Sequence, residues 1–310
     1  MTDDAAPFVL GAMYFGTRTD EATSFAMLDR YVAAGGRVLD TANCYAFWVS
    51  DTGHGGQSEA VIGRWLKANP GLRDDLVIAT KVGVEPVDGG GIEGLSAEVI
   101  HREAALSRER LGVETIDVYW AHGEDRRVEL AETVAAFGAL VEQGAVRRLG
   151  VSNHATWRVE RARDLAREQG LEPWTLLQLT ASYVDPRPRV EVPGKDHRFG
   201  FVTDETVDYL ESHPELELWV YSPLVQGSFD RADRPFPDEY HHPGTTARLE
   251  ALGRVAERHG AAASQVVLAW MSRRAKPIVG VSSVEQLDSA LGSVGLELTE
   301  ADLAELDAPR

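Results

Sequence analysis

The sequence predicts a single-domain (β/α)8 barrel of the TIM type over residues 1–310, and three observations carry that expectation. Short apolar runs that read as strands alternate along the chain with segments whose apolar residues recur at helical spacing. The strand-like runs are continuously apolar instead of alternating, as parallel strands buried on both faces require. Eight such units follow one another with no linker, internal repeat or break in composition, which favours a closed barrel over an open doubly wound sheet.

The strand-like runs lie near residues 8–13, 37–40, 76–81, 116–121, 147–151, 175–179, 217–221 and 277–281. Helical spacing marks residues 21–34, 58–67, 96–111, 130–142, 157–169 and 264–273, with a further helix starting at about Val284. Gly35, Gly36, Gly112, Gly144 and Gly170 fall where helices should stop, because glycine enters the left-handed region without strain. Three connections are too long for simple turns: 46–57, 185–201 and 228–244. Long loops in a compact barrel are often lids or substrate contacts. The first carries Phe47 and Trp48; the third carries Arg231, Arg234, Phe236, Tyr240, His241 and His242.

Composition narrows the function. A hydrophobic fraction of 44% fits an ordinary globular core, and no apolar run is long enough to suggest a membrane span. The net charge of -18 argues against nucleic acid and against anionic membrane surfaces, both of which need clustered Lys and Arg. The acidic N-terminal stretch does not resemble a secretory signal. A lone cysteine, Cys44, allows no internal disulfide and suits a reducing cytoplasm; it reads as a small buried apolar residue. No HExxH, CxxC or EF-hand pattern is present and His241-His242 is a weak pair, so no metal is expected. Gly89-Gly90-Gly91-Ile92-Glu93-Gly94 formally fits a dinucleotide-binding GxGxxG. It stands away from its strand, however, and is flanked by Asp88 and Glu93, where a phosphate would be unwelcome.

Asp40, Tyr45, Lys81 and His122 are the sequence's main functional signal. Asp40 closes one strand-like run and Tyr45 follows five residues later; Lys81 and His122 close the next two runs. Taken singly, each has a plainer explanation: a helix cap, a packing tyrosine, a solvated lysine, a core histidine. Four ionisable groups at the carboxyl ends of successive parallel strands would converge, at the end of the barrel where function sits. A free tyrosine, with a pKa near 10, is a poor proton shuttle at neutral pH. A neighbouring Lys81 ammonium should favour the phenolate and lower that value. Asp40 should hold Lys81 charged, and His122 can hydrogen-bond a carbonyl oxygen.

The constellation resembles the catalytic tetrad of the aldo-keto reductases. Gly150-Val151-Ser152-Asn153-His154, Gln178, Tyr221-Ser222-Pro223-Leu224, Gly227 and Pro277-Ile278-Val279-Gly280 resemble that family's cofactor-side motifs, in the family's order and across nearly the whole chain. The resemblance implies an NAD(P)H-dependent enzyme that reduces a small-molecule aldehyde or ketone, with Tyr45 as general acid. It also implies that Ser152, Asn153 and Gln178 hold the nicotinamide amide and that Tyr221 lies against the nicotinamide ring. Ser222, Leu224 and Gly227 would approach the pyrophosphate by backbone. Gly280, Ser282 and Gln286 would meet the adenosine ribose, at a helix N-terminus suited to an anion. The resemblance favours NADP(H); NAD(H) stays the alternative, because the turn at Val281, Ser282 and Ser283 lacks the basic residue many relatives carry. Tyr14, Phe47, Trp48 and Trp120 are expected to wall an aromatic substrate pocket. Two rival readings are a non-catalytic cofactor-binding subunit of the same fold and an unrelated barrel lyase or hydrolase.

Overall fold

The computed structural model describes residues 8–191 and 199–308. Eight strands, β1 (Val9–Gly11), β2 (Val38–Asp40), β3 (Val77–Val82), β4 (Ile116–Ala121), β5 (Val146–Ser152), β6 (Leu176–Thr180), β7 (Glu217–Tyr221) and β8 (Lys276–Gly280), form a closed barrel in chain order. Every neighbouring pair is parallel. The ring closes where Val9, Leu10 and Gly11 pair with Ile278, Val279 and Gly280. All eight expected strands are present, as the continuously apolar runs predict.

Helices α1 (Glu21–Ala33), α2 (Gln57–Ala68), α3 (Ala97–Leu111), α4 (Leu130–Glu142), α5 (Thr156–Gln169), α6 (Asp204–Ser212), α7 (Pro243–His259), α8 (Ala263–Met271), α9 (Val284–Leu291) and α10 (Glu300–Asp307) surround it. Local chemistry sets their ends. The Asp20 carboxylate caps α1 by accepting from the Thr23 amide at 2.7 Å. Gly112 and Gly170 end α3 and α5 in the left-handed region, at φ 66° and 70°. Three helices, α6, α7 and α10, lie outside the segments that helical spacing marks. α6 and α10 are only 9 and 8 residues long, too short for a repeating apolar stripe, and are announced instead by Thr203 and Thr299 capping boxes. α7 begins at Pro243, inside the connection read as a loop.

The barrel interior is filled by Val9, Val38, Ala79, Val118, Trp120, Leu176, Trp219 and Ile278. Trp120 and Trp219 meet edge to face, ring centroids 5.2 Å apart. Gly150 makes room for them, since a Cβ there would come within 2.4 Å of the Trp120 ring. Side chains two apart on a strand share a face. The next inward position toward the C-terminal end is therefore Gly11, Asp40, Lys81, His122, Ser152, Gln178, Tyr221 and Gly280 in turn. An apolar plug thus lies directly beneath a polar ring.

Candidate active site

Asp40 and Lys81 form the centre of that ring. The Lys81 ammonium donates to Asp40 Oδ2 at 2.5 Å, to the Thr41 carbonyl at 2.8 Å and to Tyr45 Oη at 3.0 Å. Both Asp40 and Lys81 are buried, so the ion pair is shielded from salt and water. The three bonds fill the ammonium's donor capacity and fix its direction. Because Lys81 donates to the phenol oxygen, the phenol's own proton is left for another acceptor. The His122 ring stands edge-on to Tyr45 with centroids 5.7 Å apart. All four sequence-predicted residues therefore meet at one end of the barrel.

Burial raises Asp40 and lowers Lys81 from their ordinary values, while their mutual attraction opposes both shifts. Tyr45 corrects the expectation of a lowered phenol pKa. Its value is pushed well above the ordinary range, first by desolvation and then by the negative charge of Asp40. With Asp40 at 2.5 Å, much of Lys81's charge is neutralised before Tyr45 can feel it. The phenol therefore rests protonated, as a proton donor must.

The cofactor-side residues are bonded to this centre and to one another. Gln178 Nε2 donates to Asp40 Oδ1 at 3.0 Å, which joins β6 to the tetrad. Asn153 Nδ2 donates to the His122 carbonyl and to Ser152 Oγ, each at 3.0 Å. Tyr221 donates to Asn153 Oδ1 at 2.8 Å, which fixes the plane of its ring. Backbone strain gathers in the same region: Asn153, Ser222, Val225 and Gln226 hold φ values of 59°, 57°, 43° and 57°. Such conformations cost about 1–3 kcal/mol each and cluster at ligand clamps. Gly227 continues the run at φ 93°, and a Cβ at Gly280 would meet nothing within 4 Å. Amide donors and acceptors at β5 and β6, an aromatic ring at the end of β7 and an open glycine at β8 make a strip that fits a nicotinamide dinucleotide. At its far end the Ser282 amide and hydroxyl donate to Gln286 Oε1 at 2.9 and 3.1 Å, and Ser283 caps α9.

Comparison with known proteins agrees with this geometry. Residues 7–309 match the profile of the Aldo/keto reductase family. The chain belongs to that family. It is 27% identical to an aryl-alcohol dehydrogenase of Pestalotiopsis microspora, covering 97% of this chain and 78% of that protein. It is 28% identical to a norsolorinic acid reductase of Emericella nidulans, over 97% and 77%. An uncharacterized oxidoreductase of Bacillus subtilis is 29% identical, over 96% and 90%. Family and relatives support an oxidoreductase and set aside an unrelated lyase or hydrolase.

In this aldo/keto reductase the expected substrate walls divide. Tyr14, on the loop after β1, meets Trp48 edge-on at 6.3 Å, and Trp48 meets Phe47 at 5.1 Å. These rings form one aromatic group, Phe47 and Trp48 coming two and three residues after Tyr45, with Trp48 46% exposed. Trp120 does not belong with them. It is fully buried in the apolar plug, two positions below His122, so it supports the ring instead of lining a pocket. Tyr240 and Phe236, on the third long connection, pack with Phe229 and Val255 in a core cluster and also line a separate cleft with His241 and His242. The second long connection lies partly outside the described residues.

The glycine run at 89–94 is a hairpin-like turn, bridged between Pro86 and Ile92, and α3 begins only after it, at Ala97. Its Glu93 has a structural task that sequence reasoning missed. The carboxylate accepts from the Gly83 amide at 2.7 Å and from Asn43 Nδ2 at 2.8 Å, which pins the chain just before Tyr45. Burial pushes Glu93 up to about 7. Glu85 closes the same loop by accepting from the Gly55 amide at 3.0 Å. Both carboxylates read as loop charges in the sequence, and only their folded partners distinguish them. Cys44 is buried as expected, but its sulfur also reaches His122 Nδ1 at 3.4 Å. Among the described residues, no helix is long and apolar enough to cross a membrane.

Proposed function

We propose that this protein reduces an aldehyde or ketone to an alcohol, taking hydride from NADPH and a proton from Tyr45. The observation that carries the reading is the three-way bonding of Lys81 to Asp40, Thr41 and Tyr45. A bound nicotinamide would supply the hydride, held by Ser152, Asn153 and Gln178 with Tyr221 against its ring. His122 donates to the carbonyl oxygen and orients it toward Tyr45. As negative charge develops on that oxygen, the phenol O–H transfers its proton to it, and the Lys81 ammonium stabilises the phenolate left behind. Asp40 keeps Lys81 charged in a site where burial alone would favour its neutral form. The apolar plug beneath the polar ring keeps water from the centre on that side.

The aromatic group Tyr14–Trp48–Phe47 favours an aryl carbonyl compound, and the similarity to an aryl-alcohol dehydrogenase supports the same reading. A non-catalytic cofactor-binding role is less well supported, because such a role needs no buried Lys81–Asp40 pair aimed at a phenol. The test is oxidation of NADPH and NADH in the presence and absence of a simple aromatic aldehyde. Aldehyde-dependent oxidation, faster with NADPH, is expected. Tight NADPH binding with no turnover on any of a broad panel of carbonyl compounds would favour the regulatory role.

A further inference from the structure

We infer that Cys44 is a positioning residue that holds His122 as the tautomer protonated on Nε2. The inference rests on the reading of His122 as the donor to the carbonyl oxygen. A neutral imidazole has one nitrogen that donates and one that accepts, and the partner of one nitrogen decides the state of the other. To donate to a carbonyl oxygen through Nε2, His122 needs an acceptor nitrogen at Nδ1, and therefore a donor facing it. Cys44 Sγ lies 3.4 Å from Nδ1.

Three features make that sulfur a fixed S–H donor. Cys44 is only 1% exposed, so water does not compete for Nδ1 from that side. Its backbone is clamped. The Phe47 amide donates to its carbonyl at 3.0 Å, and the neighbouring Asn43 amide donates to the Lys81 carbonyl at 3.2 Å. Gly55 packs so closely that a Cβ there would come within 2.5 Å of Cys44 Cα. Burial, opposed by the Lys81 charge and reinforced by Glu85, pushes the thiol well above its ordinary range, so it keeps its proton. A thiolate would do the opposite: it would draw the proton to Nδ1 and leave Nε2 bare toward the substrate.

Heteronuclear NMR of the histidine ring nitrogens tests this directly, with the His122 signals assigned by their loss in His122→Ala. In the unsubstituted protein, His122 should carry its proton on Nε2, with Nδ1 as an unprotonated acceptor. Cys44→Ala should raise the population protonated on Nδ1, and Cys44→Ser, which keeps a donor, should not. Turnover should follow: kcat falls about 3–10-fold in Cys44→Ala, as expected for loss of one modest hydrogen bond, and stays within about twofold in Cys44→Ser. Cofactor Kd should be unchanged in both. A purely structural role predicts the reverse order, since Ala is the milder replacement in an apolar site and a buried Ser the harsher. A proton on Nδ1 in the unsubstituted protein, or an unchanged tautomer in Cys44→Ala, overturns the proposal. Retention of turnover in His122→Ala would instead overturn the donor role of His122, whatever the tautomer.

Discussion

The Lys81–Asp40 pair places two opposite charges where neither is stable alone. Breaking a buried pair by removing one partner typically costs about 3–5 kcal/mol, because the other charge is left uncompensated. Lys81→Met should therefore be both inactive and less stable, with Asp40 left to Gln178. Asp40→Asn should be milder in turnover, since Asn can still accept from the ammonium. The double variant Asp40→Asn/Lys81→Met should regain much of the lost stability and none of the activity. Thermal melts and NADPH-oxidation assays on the three variants check this; a double variant as unstable as Lys81→Met would show that the charges do not compensate one another. At this scale the four site residues were legible in the sequence because Asp40, Lys81 and His122 close strand-like runs and Tyr45 follows the first by five residues. The Cys44 contact and the raised pKa of Tyr45 were not legible, since both depend on distances across the barrel mouth.

The loops between strands and helices carry two further predictions. At the start of α9, Ser282 and Gln286 are bonded to each other and bring no positive charge. Discrimination for the 2′-phosphate of NADPH should accordingly be modest, since charge-assisted bonds from Arg are the strong means of holding it. Ser282→Arg should raise the NADPH-to-NADH ratio of kcat/KM by about tenfold or more, the scale of one such bond. Direct titration should show tighter NADPH binding; an unaltered ratio would place the phosphate elsewhere. Glu93, between β3 and α3, carries a pH effect. Its folded-state value of about 7 lies above the 4.5 of a free glutamate, so its contribution to stability is full below 4.5 and is lost as pH rises to about 7. Glu93→Gln keeps the acceptor for Gly83 and Asn43 without the charge. Its stability should thus gain on the unsubstituted protein between those pH values, by on the order of 3 kcal/mol, and level off above. Denaturation at a series of pH values checks this, and a difference independent of pH would contradict it. Sequence marked the Glu93 loop only as a poor phosphate site; the partners that give the acid its role are Gly83, just after β3, and Asn43, in the turn before Tyr45.

Across the molecule, one rule of strand geometry organises everything else: a filled apolar layer lies beneath a polar ring two residues further on. That rule made the barrel and the tetrad readable together, because apolar runs of the right length ended in ionisable residues. It also accounts for the Trp120 error, since an aromatic near a strand end reads alike in the plug and in the pocket until the inward layers are counted. The exposed ion pairs of the surface, such as Arg64–Glu21 and Arg30–Asp288, are worth little individually, so the account depends on the buried pair. Its central claim is that Tyr45 supplies the proton from a phenol that Lys81 holds in place. The most direct measurement is Tyr45→Phe, assayed side by side for NADPH binding and for single-turnover reduction of an aryl aldehyde. Binding should match that of the unsubstituted protein, while the chemical step slows by about 10²–10⁴-fold, the usual worth of a general acid. A variant that binds NADPH normally and keeps more than about a tenth of that rate would contradict the account.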